Sequence, residues 1–159
     1  LAAKGPCIFT GYYKAENINR QSFTREGFFL TGDVARINNK GNFIITGRTK
    51  DVINRGGEKI SAVEVEEMIL SIKGVISVAA VPVPDARLGE KVCVFIQADK
   101  GYTFDMENIT GLLKAKGASV LLLPERVEMV ETMPLSPLGK IDKKLLRQRL
   151  EQLPPGTIR

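Results

Sequence analysis

The 159-residue sequence predicts an α+β fold, a small mixed sheet with flanking helices preceded by a β-hairpin segment. Three observations carry this. Short β-branched runs alternate irregularly with stretches of helical periodicity. A capping signature opens one of those helices, and turn-forming clusters separate the segments. With 43% hydrophobic and 26% charged residues the chain has the material for a core and is not a disordered segment.

In chain order, residues 11–27 are polar and irregular. Residues 28–47 read as a hairpin: Phe28-Phe29-Leu30 and residues 34–37 form one arm, 42–46 the other, and Asn38-Asn39-Lys40-Gly41 supplies the turn. Residues 47–51 are a polar break and the expected domain boundary, giving parts 1–49 and 50–159. A short strand over 52–54 runs into Arg55-Gly56-Gly57-Glu58-Lys59, where adjacent glycines signal a tight turn or a backbone approached by a ligand. Ser61 with Glu64 forms a capping box, and Val65, Met68, Ile69 and Ile72 then share one helical face closed by Gly74. Residues 75–83 are small and β-branched, as in a strand buried on both faces, with Pro82 and Pro84 ending it. Another strand is expected over 90–98, a helix over 104–116 ended by Gly117, and a strand over 126–131. A turn-rich loop over 134–139 leads to a basic helix over 142–153 with Leu145, Leu146 and Leu150 inward.

Composition removes several chemistries. With no His there is no Ser-His-Asp or Cys-His nucleophile and no His-ligated zinc within the chain, so no metal site is expected in it. Cys7 and Cys93 match no metal or redox spacing and suit a reducing cytoplasm. No apolar stretch approaches the ~20 residues of a membrane span. The net charge of +5 suggests an anionic partner without choosing one. The start, Leu1-Ala2-Ala3-Lys4, lacks an initiator Met, and the chain is expected to be a piece of something longer.

Three segments hold polar residues that packing does not explain. Asp33, after Gly32, is either an acceptor for paired hydroxyls or a turn residue bonding local amides. Gly56-Gly57, between Arg55 and Lys59, either cradles a phosphate or is a bare turn. Lys140, in a loop stiffened by Pro134 and Pro137, is either a point charge for a phosphoryl centre or one solvated lysine among many.

Together and in this order the segments resemble the adenylate-forming (AMP-forming) acyl- and aryl-CoA ligase superfamily. Gly27-Phe28-Phe29-Leu30-Thr31-Gly32-Asp33 resembles its G-[FWY]-x-x-T-G-D motif. Gly47-Arg48-Thr49-Lys50-Asp51-Val52-Ile53-Asn54-Arg55-Gly56-Gly57 is similar to G-R-x-[KD]-D-x-I-x-x-G-G, and Pro134 to Ile141 to P-[LR]-[ST]-x-x-G-K-[IV]. Residues 53–61 look most like the aryl-acid branch, the 2,3-dihydroxybenzoate–AMP ligases. The resemblance implies that residues 1–49 end a large N-terminal domain and that 50–159 form a mobile C-terminal lid. It implies ATP and Mg2+, with the metal's ligands upstream, and coenzyme A or phosphopantetheine as thiol. It also implies a small carboxylic acid, an aryl acid being favoured, and the protein's own N-terminal domain and an acyl or aryl carrier protein as partners. Lys140 would be the adenylation lysine, Asp33 and Arg48 would hold the nucleotide, Lys50 would be the hinge, and Gly56 and Gly57 would line a pantetheine tunnel. The chain alone would be inactive. A basic, non-enzymatic α+β module binding RNA or another polyanion is the alternative. Its support is the net charge alone, because no stripe of interleaved basic and aromatic residues accompanies it.

Overall fold

The computed structural model describes residues 1–152 and divides into two compact units, Leu1–Lys50 and Asp51 onward. In the first, β1 (Ala2–Ala3) pairs antiparallel with β2 (Phe29–Leu30), and β3 (Asp33–Ile37) with β4 (Phe43–Arg48). The expected 34–37/42–46 hairpin is therefore present. Its turn is closed by Asn38, whose side chain accepts from the N–H groups of Lys40 and Asn42 at 2.9 and 3.0 Å. The segment Phe28-Phe29-Leu30 does not join that hairpin. Gly32 separates it, and it pairs with Ala2–Ala3, a partner nearly thirty residues away that local pattern does not reveal. Residues 11–27 are less irregular than expected, because α1 (Glu16–Ser22) lies within them. Asn19 holds it to the preceding segment, accepting from Tyr12 N–H and donating to Tyr12 C=O at 2.7 and 2.9 Å. Phe9 packs edge-on against Tyr12, Phe23 and Phe29.

The second unit holds β5 (Val52–Arg55), β6 (Glu58–Ser61), α2 (Ala62–Leu70), β7 (Val75–Asp85), β8 (Gly89–Ala98), α3 (Met106–Ala115), β9 (Arg126–Met129) and α4 (Lys143–Gln152). Five strands form one mixed sheet in the order β6-β5-β8-β7, with β9 parallel to β8. The α+β expectation is met. Strand alternation divides the core. Val78, Ala80, Val92, Val94 and Ile96 face α2 and α3, packing on Val65, Ile69, Ile109 and Leu113. Ala79, Val81, Cys93 and Phe95 point the other way, onto Leu146 and Leu150 of α4. Leu145 is exposed rather than inward, because the buried stripe of α4 runs through 146 and 150. The expected last residue of that helix, Leu153, lies outside the described residues.

Local chemistry sets the helix starts. Ser61 Oγ accepts from Glu64 N–H at 3.3 Å to open α2, and Asp105 with Asn108 forms a reciprocal capping box on α3. One expectation fails at β7, which continues through Pro82 and Pro84 to Asp85. As the sheet's edge strand it directs alternate N–H groups away from β8. Ala80 N–H, of that outward set, donates to Glu66 Oε1 at 2.7 Å, and the next two outward positions are the prolines, which have no N–H. The prolines blunt an edge instead of ending a strand. The strand β6 was not expected separately from its turn.

Candidate functional site

In the first unit the register of the β3–β4 hairpin sets Asp33 opposite Arg48. Arg48 Nε donates to Asp33 Oδ1 at 2.9 Å and Nη2 to the Thr31 carbonyl at 3.2 Å, while Thr31 Oγ1 accepts from Asp33 N–H at 3.1 Å. Beside this cluster lies an open depression of about 400 Å³ lined by Thr31, Gly32, Arg48, Thr49 and Lys50. One carboxylate oxygen of Asp33 is thus oriented by a guanidinium. Its other oxygen, Oδ2, has no protein donor among the described residues. That donor set fits an incoming pair of hydroxyls near an anion.

The second unit holds the glycine turn and Lys140. Gly56 and Gly57 form the two-residue connection between β5 and β6, with φ of +61° and +92°. Within this unit it is the backbone that requires glycine, not shortage of room. A side-chain carbon at Gly57 would meet nothing within 4 Å, and at Gly56 only Leu88 at 3.5 Å. The turn is firmly tied down. Gly56 N–H donates to the Leu88 carbonyl at 2.7 Å, Asn54 N–H donates to Glu90 Oε2 at 2.6 Å, and Arg55 pairs with Glu125. Glu125 also fills the gap between β5 and β9 along β8, bonding both N–H and C=O of Val92 at 2.9 Å.

The 134–142 segment is a closed hairpin rather than a free loop. Leu135 bridges Ile141, Ser136 N–H donates to Lys140 C=O at 2.7 Å, and Gly139 N–H to Ser136 C=O at 2.9 Å. Lys140 N–H donates to Ser136 Oγ at 3.3 Å, and Asp142 N–H to Pro134 C=O at 2.8 Å. The Lys140 side chain projects into solvent with no hydrogen bond or ion pair among the described residues. The hairpin's base is anchored: Asp142 Oδ1 caps α4 at Leu145 N–H, and Lys143 Nζ meets Glu66 Oε1 at 2.8 Å. Arg147 Nη2 pairs with Asp51 Oδ1 at 3.0 Å.

Asp33, Arg48 and Lys50 thus share the first unit, and Gly56, Gly57 and Lys140 the second. Among the described residues no hydrogen bond or ion pair joins the glycine turn to the Lys140 hairpin. The supporting carboxylates Asp51, Glu66, Glu90 and Glu125 escaped the sequence reading. Arg55 to Glu125 spans 70 residues and Asp51 to Arg147 spans 96, so no local spacing signals them.

Three titratable groups are displaced, Glu26 being held below its ordinary value chiefly by its hydrogen bond to the Thr24 side chain. Burial pushes the Cys93 thiol up to about 12, Arg126 opposing and Glu128 assisting. The hydrogen bond from Lys91 and then the Leu88 N–H hold Asp85 down to about 2, with a smaller contribution from Arg87 N–H. Among the described residues no cluster of three or more His, Cys, Asp or Glu is placed to hold a metal ion. None of their helices is long and apolar enough to cross a membrane.

Comparison with known proteins shows what the chain resembles. Residues 64–140 match the model of the AMP-binding enzyme C-terminal domain. A salicylyl-CoA synthase / salicylate adenylyltransferase of Streptomyces sp is 45% identical over 92% of this chain and 27% of its own. The 2,3-dihydroxybenzoate-AMP ligase of Bacillus subtilis (strain 168) is 42% identical over 96% of this chain and 28% of its own. Among solved structures, ATP-bound MatB from Rhodopseudomonas palustris superposes with a TM-score of 0.86 at 32% identity, covering 94% of this chain and 30% of that one. The chain therefore spans a little over a quarter of the length of the curated relatives it matches.

Proposed function

We propose that this chain, whose residues 64–140 match the AMP-binding enzyme C-terminal domain, is the C-terminal part of an AMP-forming aryl-acid ligase. The intact enzyme joins a carboxylate to the α-phosphorus of ATP, releasing pyrophosphate, and a thiol of coenzyme A or phosphopantetheine then displaces AMP. An aryl acid is favoured because relatives carry salicylate and 2,3-dihydroxybenzoate in their names. An aryl carrier protein is a candidate acceptor, since one relative from Mycobacterium tuberculosis is named a salicyl-S-ArCP synthetase.

One observation carries the reading. Lys140 stands exposed on a hydrogen-bonded hairpin and has no ion-pair partner among the described residues, so no carboxylate among them quenches its charge. Adenylation needs positioning and neutralisation of charge building on phosphate oxygens, which an ammonium supplies. Asp33, steadied by Arg48, accepts the ribose hydroxyls. The glycine turn offers a backbone surface along which a pantetheine arm can lie. Lys50 is the pivot between two states, one serving each half-reaction. Mg2+ would be held by residues upstream of this chain and, when bound, would supply charge neutralisation at the phosphates. The cytoplasm, where ATP and coenzyme A are available, is the proposed location.

Acid-dependent ATP–pyrophosphate exchange tests this. The intact protein exchanges with salicylate, 2,3-dihydroxybenzoate or benzoate in preference to fatty acids, and the isolated chain exchanges with none. Exchange by the isolated chain, or intact protein that responds to no carboxylic acid, contradicts the proposal.

A further inference from the structure

We propose that Ser136 is a positioning residue for adenylation, fixing the backbone from which Lys140 reaches its target; the inference rests on the role proposed for Lys140. A lysine side chain has four rotatable bonds, and this one has no partner among the described residues to restrain its end, so its reach is set by where its backbone is held. Ser136 holds both backbone groups of Lys140. Its N–H donates to Lys140 C=O at 2.7 Å, and its Oγ accepts from Lys140 N–H at 3.3 Å.

The hydroxyl's share can be removed cleanly. Without Oγ the hairpin keeps three backbone bonds, Ser136 to Lys140, Gly139 to Ser136 and Asp142 to Pro134, so its fold persists. What disappears is the restraint on the Lys140 N–H, the point where the turn hands over to the reactive side chain. The side chains of Leu135 and Leu138 on the same tip are exposed, so the tip is held by its hydrogen bonds and the Leu135–Ile141 bridge rather than by burial. A small loss of orientation at a reacting group costs rate rather than binding.

The test uses the full-length protein and its two half-reactions. Ser136→Ala lowers adenylation kcat roughly five-fold, the worth of one hydrogen bond from a backbone N–H to a side-chain hydroxyl, and leaves KM for ATP within about two-fold. Thioester formation from preformed adenylate and the unfolding midpoint are unchanged. Ser136→Thr, which keeps the hydroxyl, restores the rate. In a Lys140→Ala background Ser136→Ala causes no further loss, as required if serine acts only through the lysine. Wild-type adenylation by Ser136→Ala, equal loss in both half-reactions, or an added loss in the Lys140→Ala background overturns the proposal while leaving the role of Lys140 standing. Undiminished adenylation by Lys140→Ala itself overturns the underlying reading and this inference with it.

Discussion

Gly74→Ala tests how the lid-like unit is built around the turn between α2 and β7. Gly74 has φ of +91°, and a methyl group there would lie 2.3 Å from Tyr102 Cδ1 and 2.4 Å from Cγ. Neither side yields easily. The Gly74 carbonyl accepts from Asp99 N–H at 2.8 Å, and the Tyr102 ring stacks on Phe104, a member of the core beneath α2 and α3. A left-handed conformation costs an L-residue about 1–2 kcal/mol, and forced overpacking a further 1–3 kcal/mol or so. The sum centres near 3.5 kcal/mol, which for a chain of this size lowers Tm by roughly 7–14 °C. The assay is urea and thermal unfolding of four proteins in a double-mutant cycle with Tyr102→Ala. Removing the ring removes the collision but not the backbone strain, so Gly74→Ala then costs only about 1–2 kcal/mol. An identical penalty with and without the ring refutes the steric argument, and no penalty in either background refutes both parts.

Three shorter predictions follow from the charged and buried groups. Cys93, fully buried with its thiol pushed up to about 12, resists alkylation at mildly alkaline pH, while exposed Cys7 reacts. Mass spectrometry should find one label on folded protein and two in urea, and two on folded protein would contradict the packing of α4. Because the folded pKa is raised, this thiol's contribution to stability is whole below the ordinary thiol value and is lost as pH climbs toward about 12. Asp85 has the opposite sign. Its contribution is present above the ordinary carboxylate value and is lost as pH falls toward about 2, so Asp85→Asn flattens the acid limb of a stability–pH curve. In the intact enzyme Asp33→Asn raises KM for ATP roughly ten-fold, the worth of a hydrogen bond to a charged acceptor, and an unchanged KM would reject its nucleotide role.

What the sequence disclosed was whatever is locally encoded. The Ser61 cap, the Asn38 turn and the buried β-branched runs of β7 and β8 depend on neighbours within a few residues, and each was legible. Pro82 and Pro84 misled because whether a proline breaks a strand depends on the strand being an edge, a property of the sheet rather than of the segment. Leu145 and Leu146 cannot be ranked by composition, since which leucine faces Phe95 is decided by the placement of α4. At the site, Asp33, Arg48, Gly56, Gly57 and Lys140 stood out as residue types in motif order. Their surroundings did not. The carboxylates bracing the glycine turn emerge only when distant segments meet, whereas the register opposing Asp33 to Arg48 and the closed hairpin under Lys140 are local pairings that residue type alone does not specify.

The central claim is that Lys140 serves the first half-reaction and not the second. Single-turnover measurement of both steps in intact Lys140→Ala enzyme tests it most directly. Adenylate formation from ATP and an aryl acid should all but vanish, while transfer from preformed adenylate to the thiol proceeds at a rate close to that of the parent. Equal impairment of the two steps, or adenylate formed at the parental rate, would contradict the account.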